Sequence, residues 1–120
     1  MLRNNVPTHA EKGNGMKKND KLVLNKFKGL LLKKVGLHSL VLFGSRARGN
    51  ADPYSDMDVL VVVDRLDKEI EDYISDCAWE AGFEEGIVIL PIIFTKDEWE
   101  KGPERFSLLA QAIRSEGVSL

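Results

Sequence analysis

The sequence predicts an α/β domain in which helices pack on a small sheet, and three observations point there. Two short, mostly apolar runs, Ser39–Phe43 and Val59–Val63, have the length and composition of buried strands. A third run, Ile87–Phe94, is interrupted only by Pro91. Between the second and third lies an amphipathic stretch, Asp67–Ala81, with apolar residues at helical spacing. Strands alternating with helices imply a layer of helix on sheet.

The elements follow in order. Residues 1–19 hold Asn4, Asn5, Pro7, Gly13 and Gly15 with little apolar content, so they are expected to form a disordered leader ahead of a domain spanning 20–120. Asp20 is a candidate N-cap for a helix over Lys21–Val35. Leu24, Phe27, Leu31 and Val35 share one side of it, and Gly36 stops it. The strand Ser39–Phe43 ends at Gly44, and a loop through Asp52-Pro53 leads into Val59–Val63. In the next helix Ile70, Tyr73, Ile74, Cys77, Ala78 and Ala81 form the apolar stripe. Trp79 falls opposite that stripe, either partly exposed or as an anchor for a neighbour. Thr95-Lys96-Asp97-Glu98 is a capping-box pattern. A last helix is expected near 104–115 with Phe106, Leu109 and Ile113 inward, and Gly117–Leu120 can add a short edge strand.

Composition narrows the function classes. At 120 residues, 43% hydrophobic and 30% charged, the chain suits one globular domain. No apolar run approaches the ~20 residues of a membrane-spanning helix, and no secretory signal is visible. Cys77 is the one cysteine, which excludes an internal disulfide and suits the reducing cytoplasm. With it, His9 and His38 are too few for a zinc site. Residues 1–50 carry 11 Lys/Arg against 2 acids, and residues 51–120 carry 6 against 17. A nucleic-acid face would use such a split, but only Phe27 lies among the lysines and it belongs to the apolar stripe. A solvated lysine-rich helix face explains the charge better, which argues against nucleic acid as a partner.

The chemistry gathers in Leu42-Phe43-Gly44-Ser45-Arg46-Ala47-Arg48-Gly49 and Ser55-Asp56-Met57-Asp58. A glycine directly after a buried strand lets backbone N–H groups approach a ligand, and the serine can cap a turn and bond a phosphate oxygen. Arg46 and Arg48 add cations, either for steadying phosphate or for pairing with nearby acids. Gly44 and Gly49 mimic half a P-loop, but Asn50 stands where that motif needs lysine. Asp56 and Asp58 alternate with Met57, so both carboxylates face one side of a strand entrance. Two bare carboxylates about 5 Å apart repel by roughly 3 kcal/mol at an effective dielectric near 20. Magnesium between them relieves that repulsion. Asp64 shares their parity but lies roughly 20 Å further along, too far to join them.

Together these residues resemble the signature of the minimal nucleotidyltransferases in the DNA polymerase β superfamily: Gly-Ser, ten residues, then Asp-x-Asp. Here the ten are 46–55. The resemblance covers about residues 20–95 and implies a polymerase β-like nucleotidyltransferase fold, α/β (α+β), with a small mixed sheet. It implies that Gly44 and Ser45 grip the triphosphate of ATP or another nucleoside triphosphate, aided by Arg46 and Arg48. Asp56 and Asp58 would be the catalytic carboxylates and hold two Mg2+ ions. The activity implied is transfer of an NMP, AMP above all, to a hydroxyl. The acceptor implied is a partner protein of HEPN type, with this chain as the antitoxin of the pair; an oligomer is left open. Active members also place a third carboxylate on the next strand. Ile87–Phe94 has none, and Glu84 and Glu85 precede it. The alternative is therefore a nucleotide-binding fold, weak or inactive in catalysis, that neutralises its partner by contact.

Overall fold

The computed structural model describes residues 16–49, 52–103 and 107–120. The expected leader lies mostly outside that range, but its last residues are part of the domain. Met16 is buried against the core, and the first helix, α1, spans Lys18–Leu32. Asp20 is not its cap. Lys17 holds the cap position without a side-chain hydrogen bond, and Asp20 lies buried in the first turn.

The remaining elements are β1 (Leu37–Phe43), α2 (Ser45–Arg48), β2 (Met57–Val63), α3 (Lys68–Phe83), β3 (Ile89–Thr95), α4 (Lys96–Lys101), α5 (Leu108–Glu116) and β4 (Val118–Ser119). The strands form one mixed sheet in the order β3-β2-β1-β4. β1 runs antiparallel to β2 and β4, while β2 and β3 are parallel and joined through α3. β4 is the short edge strand expected at the C-terminus. Both edge positions suit their sequences. Met57 N–H donates to the Val88 carbonyl at 2.8 Å, so by alternation the Pro91 nitrogen faces away from β2. Proline there removes a donor that nothing else in the sheet requires.

Residue parity divides β2 between two faces. Met57, Val59, Val61 and Val63 pack with Leu40 and Leu42 under α1 and α3, against Leu24, Phe27, Leu31, Ile74, Cys77 and Ala78. Each of these large side chains contributes roughly 1.5–3 kcal/mol by leaving water. Leu60 and Val62 face the other way with Phe43, where Ile113 of α5 and Trp99 of α4 cover them.

Local signals set the boundaries. Asp67 caps α3 by accepting from the Ile70 N–H at 2.9 Å. The capping box is present: Thr95 and Glu98 each bond the other's backbone N–H. Ser107 caps α5 through the Ala110 N–H. Phe106 lies outside the described residues. Leu109, expected inward, is exposed; Ile113 is buried as expected, and Ala110 takes the second inward position of α5. Trp79 is exposed on the outer side of α3, where it stacks on Phe83 at 4.6 Å. Trp99 is half-buried between Phe94 and Arg114, in a packing role.

The charge split between the two halves becomes local pairing. Lys26 of α1 reaches Glu84, just after α3, at 3.9 Å, and Lys34, just after α1, reaches Glu69 of α3 at 3.6 Å. These pairs are exposed and contribute little each.

Candidate functional site

β1 and β2 bring the two halves of the motif together through their register. Phe43 pairs with Asp58, so Gly44, next in the chain, lies beside that carboxylate. Gly44 has a φ of +78°, a left-handed region that other residues enter at a cost. A Cβ built there would stand 2.7 Å from Asp58 Oδ2. Glycine is thus required twice, once for the turn and once for the carboxylate.

The chain then closes α2, a single turn. Ala47 and Arg48 N–H groups donate to the Gly44 carbonyl at 3.1 and 3.2 Å. The amides of Ser45 and Arg46 precede these first bonds of the turn. The serine was expected to cap it; Gly44 holds the cap position, and Ser45 opens the helix with its hydroxyl free of hydrogen bonds among the described residues.

Met57 opens β2 and points into the core, Asp58 follows it on the opposite face of the strand, and Asp56 stands just ahead of the strand. Asp56 is exposed and Asp58 half-buried. Partial burial pushes the Asp58 carboxyl above its ordinary value of 3.8, and the charge of Asp56 pushes it further. The two carboxylates therefore interact as the sequence spacing implied. Hard oxygen donors that repel one another at a solvent-open rim suit a divalent cation such as Mg2+.

β3 supplies what stands opposite. In the parallel register Asp58 pairs with Leu90, which is 43% exposed. Leucine thus holds the position facing the two acids. Among the described residues, three acids, histidines or cysteines nowhere gather closely enough to hold a metal. Glu84 follows α3 and pairs with Lys26, and Glu85 lines a cleft with Lys17, Lys18 and Pro53. Asp64, as expected, is an exposed acid at the far end of β2.

The two arginines part company. Arg46 is 5% exposed. Its Nη1 donates to Asp20 Oδ1 at 2.8 Å, its Nη2 to the Ser55 and Pro53 carbonyls, and its Nε to Ser55 as well. All three nitrogens are engaged, which is the second of the two roles expected for this residue, pairing with a nearby acid. Sequence reasoning had offered Asp20 as a cap and missed that partnership, which joins residues 26 apart. Arg48 is half-exposed and donates to Glu116 at 2.7 Å, tying α2 to the end of α5.

Cys77 is buried on the α3 stripe, and burial pushes its thiol up, which suits packing rather than attack.

A mixed sheet with Gly-Ser at the end of one strand and Asp-x-Asp at the start of its antiparallel neighbour defines a class, the polymerase β-like nucleotidyltransferase domains. The family follows from comparison: residues 24–119 match the Nucleotidyltransferase domain family, and the chain belongs to it. A curated relative, "Putative protein adenylyltransferase MJ1305" of Methanocaldococcus jannaschii, is 40% identical over 76 residues. That alignment takes in 59% of this chain, which spans about half the length of the relative, 52%.

Solved structures share the fold. A toxin–antitoxin complex with AMP-PNP aligns with a TM-score of 0.56 at 22% identity, covering 79% of this chain and 69% of that one. A tri-AMPylated Shewanella oneidensis HEPN toxin in complex with MNT antitoxin gives 0.51 at 22%, covering 82% and 69%. No helix among the described residues is long and apolar enough to cross a membrane.

Proposed function

We propose that this domain is a minimal nucleotidyltransferase that transfers AMP from ATP to a hydroxyl of a partner protein. The observation that carries the reading is the contact between Gly44 and Asp58. A left-handed glycine pressed against a half-buried carboxylate has no structural use that alanine and leucine would not serve at less strain. It makes sense as the junction of a phosphate grip and a metal-holding pair.

Gly44 and Ser45 grip the triphosphate through the leading amides of α2 and the serine hydroxyl. Arg48 remains the candidate cation for phosphate, exchanging its exposed pair with Glu116 for the nucleotide. Asp56 and Asp58 hold Mg2+. When bound, the metal neutralises phosphate charge and orients the triphosphate for in-line displacement of pyrophosphate. The rim of the sheet keeps the grip and the acids rigid relative to one another.

The acceptor we favour is a HEPN-type toxin, with this chain as its antitoxin in the cytoplasm. The relative named for protein adenylyltransfer and the AMPylated toxin complex of the same fold support that reading. The test is incubation with labelled ATP, Mg2+ and a HEPN-type protein. Label on the partner, lost with Asp56→Ala/Asp58→Ala, is the expected result; an unlabelled partner would remove the acceptor assignment.

A second reading rests on Leu90. With leucine facing Asp58, β3 offers no third acid, among the described residues, to take the proton of the attacking hydroxyl. A missing general base slows a reaction by typically 10²–10⁴-fold. In this reading the domain binds nucleotide and neutralises its partner by contact. Toxin neutralised equally well by Asp56→Ala/Asp58→Ala would select it.

A further inference from the structure

The two carboxylates of the site are not held equally. Asp58 is inside β2, with β1 on one side and β3 on the other. Asp56 precedes the strand, is exposed, and follows the loop through Pro53 and Ser55. Something else must set its position.

We propose that Arg46 is a positioning residue that fixes the loop 53–55, and through it Asp56, relative to Asp58. Its guanidinium holds the Ser55 carbonyl with two nitrogens, at 2.7 and 3.0 Å, and the Pro53 carbonyl at 3.0 Å. Ser55 is bonded directly to Asp56, so these contacts end one residue from the metal-holding group. The opposite edge of the guanidinium is fastened to Asp20 of α1 at 2.8 Å, with both side chains almost fully buried. The inference rests on the proposed role of Asp56 and Asp58.

Burial of this pair has no simple explanation in stability. Removing two charges from water is expensive, and apolar replacements of a buried pair are often neutral or stabilising. What apolar residues cannot do is hold two carbonyls and a carboxylate at fixed angles. The planar five-donor fork of arginine does so, and Asp20 supplies the counter-charge that lets it stay dry. The pair also spans the site's components. Arg46 belongs to the turn that carries Ser45, so one side chain sets the distance from the phosphate grip to the metal-holding loop.

Arg46→Lys separates the two functions of the residue. Lysine keeps a cation for Asp20 but cannot span both carbonyls in one plane. Asp20→Asn does the reverse, sparing the carbonyl bonds. The experiment measures Mn2+ affinity in the presence of ATP by electron paramagnetic resonance, on the full chain, below each variant's melting temperature. Arg46→Lys is expected to weaken Mn2+ binding by about 10–100-fold, the usual range when a group that orients a metal ligand is changed. Asp20→Asn is expected to bind Mn2+ nearly as the wild type does while melting earlier.

Unchanged Mn2+ affinity in folded Arg46→Lys, with binding abolished in Asp56→Ala/Asp58→Ala, would overturn the positioning role and leave the site standing. An equal loss in Asp20→Asn would also overturn it, by tracing the effect to the ion pair alone. No Mn2+–ATP binding by the wild type would remove the site and this inference with it. Should Arg46→Lys fail to fold, Arg46→Gln combined with Asp20→Asn leaves no unpaired charge and carries the same expectation.

Discussion

The two faces of the sheet are built for different work. Beneath α1 and α3, Met57, Val59, Val61 and Val63 are fully enclosed by side chains from both helices. On the other face, Trp99 of α4 and Ile113 of α5 cover Leu60 and Val62, while the start of β2 is more open, with Asp58 half-buried and Asp56 exposed. Asp58 continues the Leu60–Val62 row toward that more open end, with Asp56 beyond it. One face secures the strand, and the other leaves its first acids open to a ligand. Stability and function are thus separated by the two-residue period of a strand, and substitutions on β2 or its neighbours should sort accordingly.

The largest expected effect lies on the closed face. Phe27→Ala should cost about 3–5 kcal/mol of unfolding free energy in a urea titration, through lost burial and an incompletely collapsed cavity. A loss below about 1 kcal/mol would mean that the α1 layer is not the foundation of the sheet. Next comes Gly44→Ala, which strains a left-handed turn and drives a methyl into Asp58. Mg2+–ATP affinity should fall on the order of 10²-fold, the scale of a 1 Å misplacement, with a smaller change in melting temperature. Equal binding by this variant would separate the glycine from the site.

Leu90→Asp sharpens the comparison from the other direction. It places a third carboxylate beside Asp58 at an already exposed position. We expect Mn2+ affinity to rise by about tenfold, since cation affinity follows ligand charge. Smaller still is a pH effect. Because burial and then Asp56 raise the Asp58 pKa, the native state holds that proton more tightly than the unfolded chain does. Its contribution to stability is therefore present below the ordinary carboxylate value and is lost as pH rises through the raised one. Mg2+ binding runs opposite, weakening as pH falls through the raised value. Asp56→Asn should shift that midpoint of pH-dependent stability downward; an unmoved midpoint would break the coupling. The smallest effect is expected at Leu109→Ala on the thinly covered face, within about 0.5 kcal/mol.

How much of this was readable from sequence depends on the range of the interaction concerned. Local rules located the Thr95–Glu98 box and the α3 stripe, because each is settled within one or two turns. The period of two set Asp58 on the face opposite Met57 without knowledge of the strand's neighbours, while Asp56 stands just ahead of the strand. Arg46 was not readable in the same way. Its partner, Asp20, lies in another helix, and as a helix-start acid it matched the cap pattern just as well. Leu109 failed for a related reason: Leu109 and Ala110 are each at helical spacing from Ile113, and only the packing of α5 on the sheet decides that Ala110 is the one buried. The absent third acid was visible in Ile87–Phe94, but only the β2–β3 register identifies Leu90 as the residue in its place.

The most direct test of the central claim is calorimetric titration of ATP with Mg2+ into the wild type and Asp56→Ala/Asp58→Ala. Binding by the wild type is expected to require the metal and to disappear in the variant while the variant remains folded. Metal-independent binding, binding that survives loss of both carboxylates, or no binding by a folded wild type would contradict that claim.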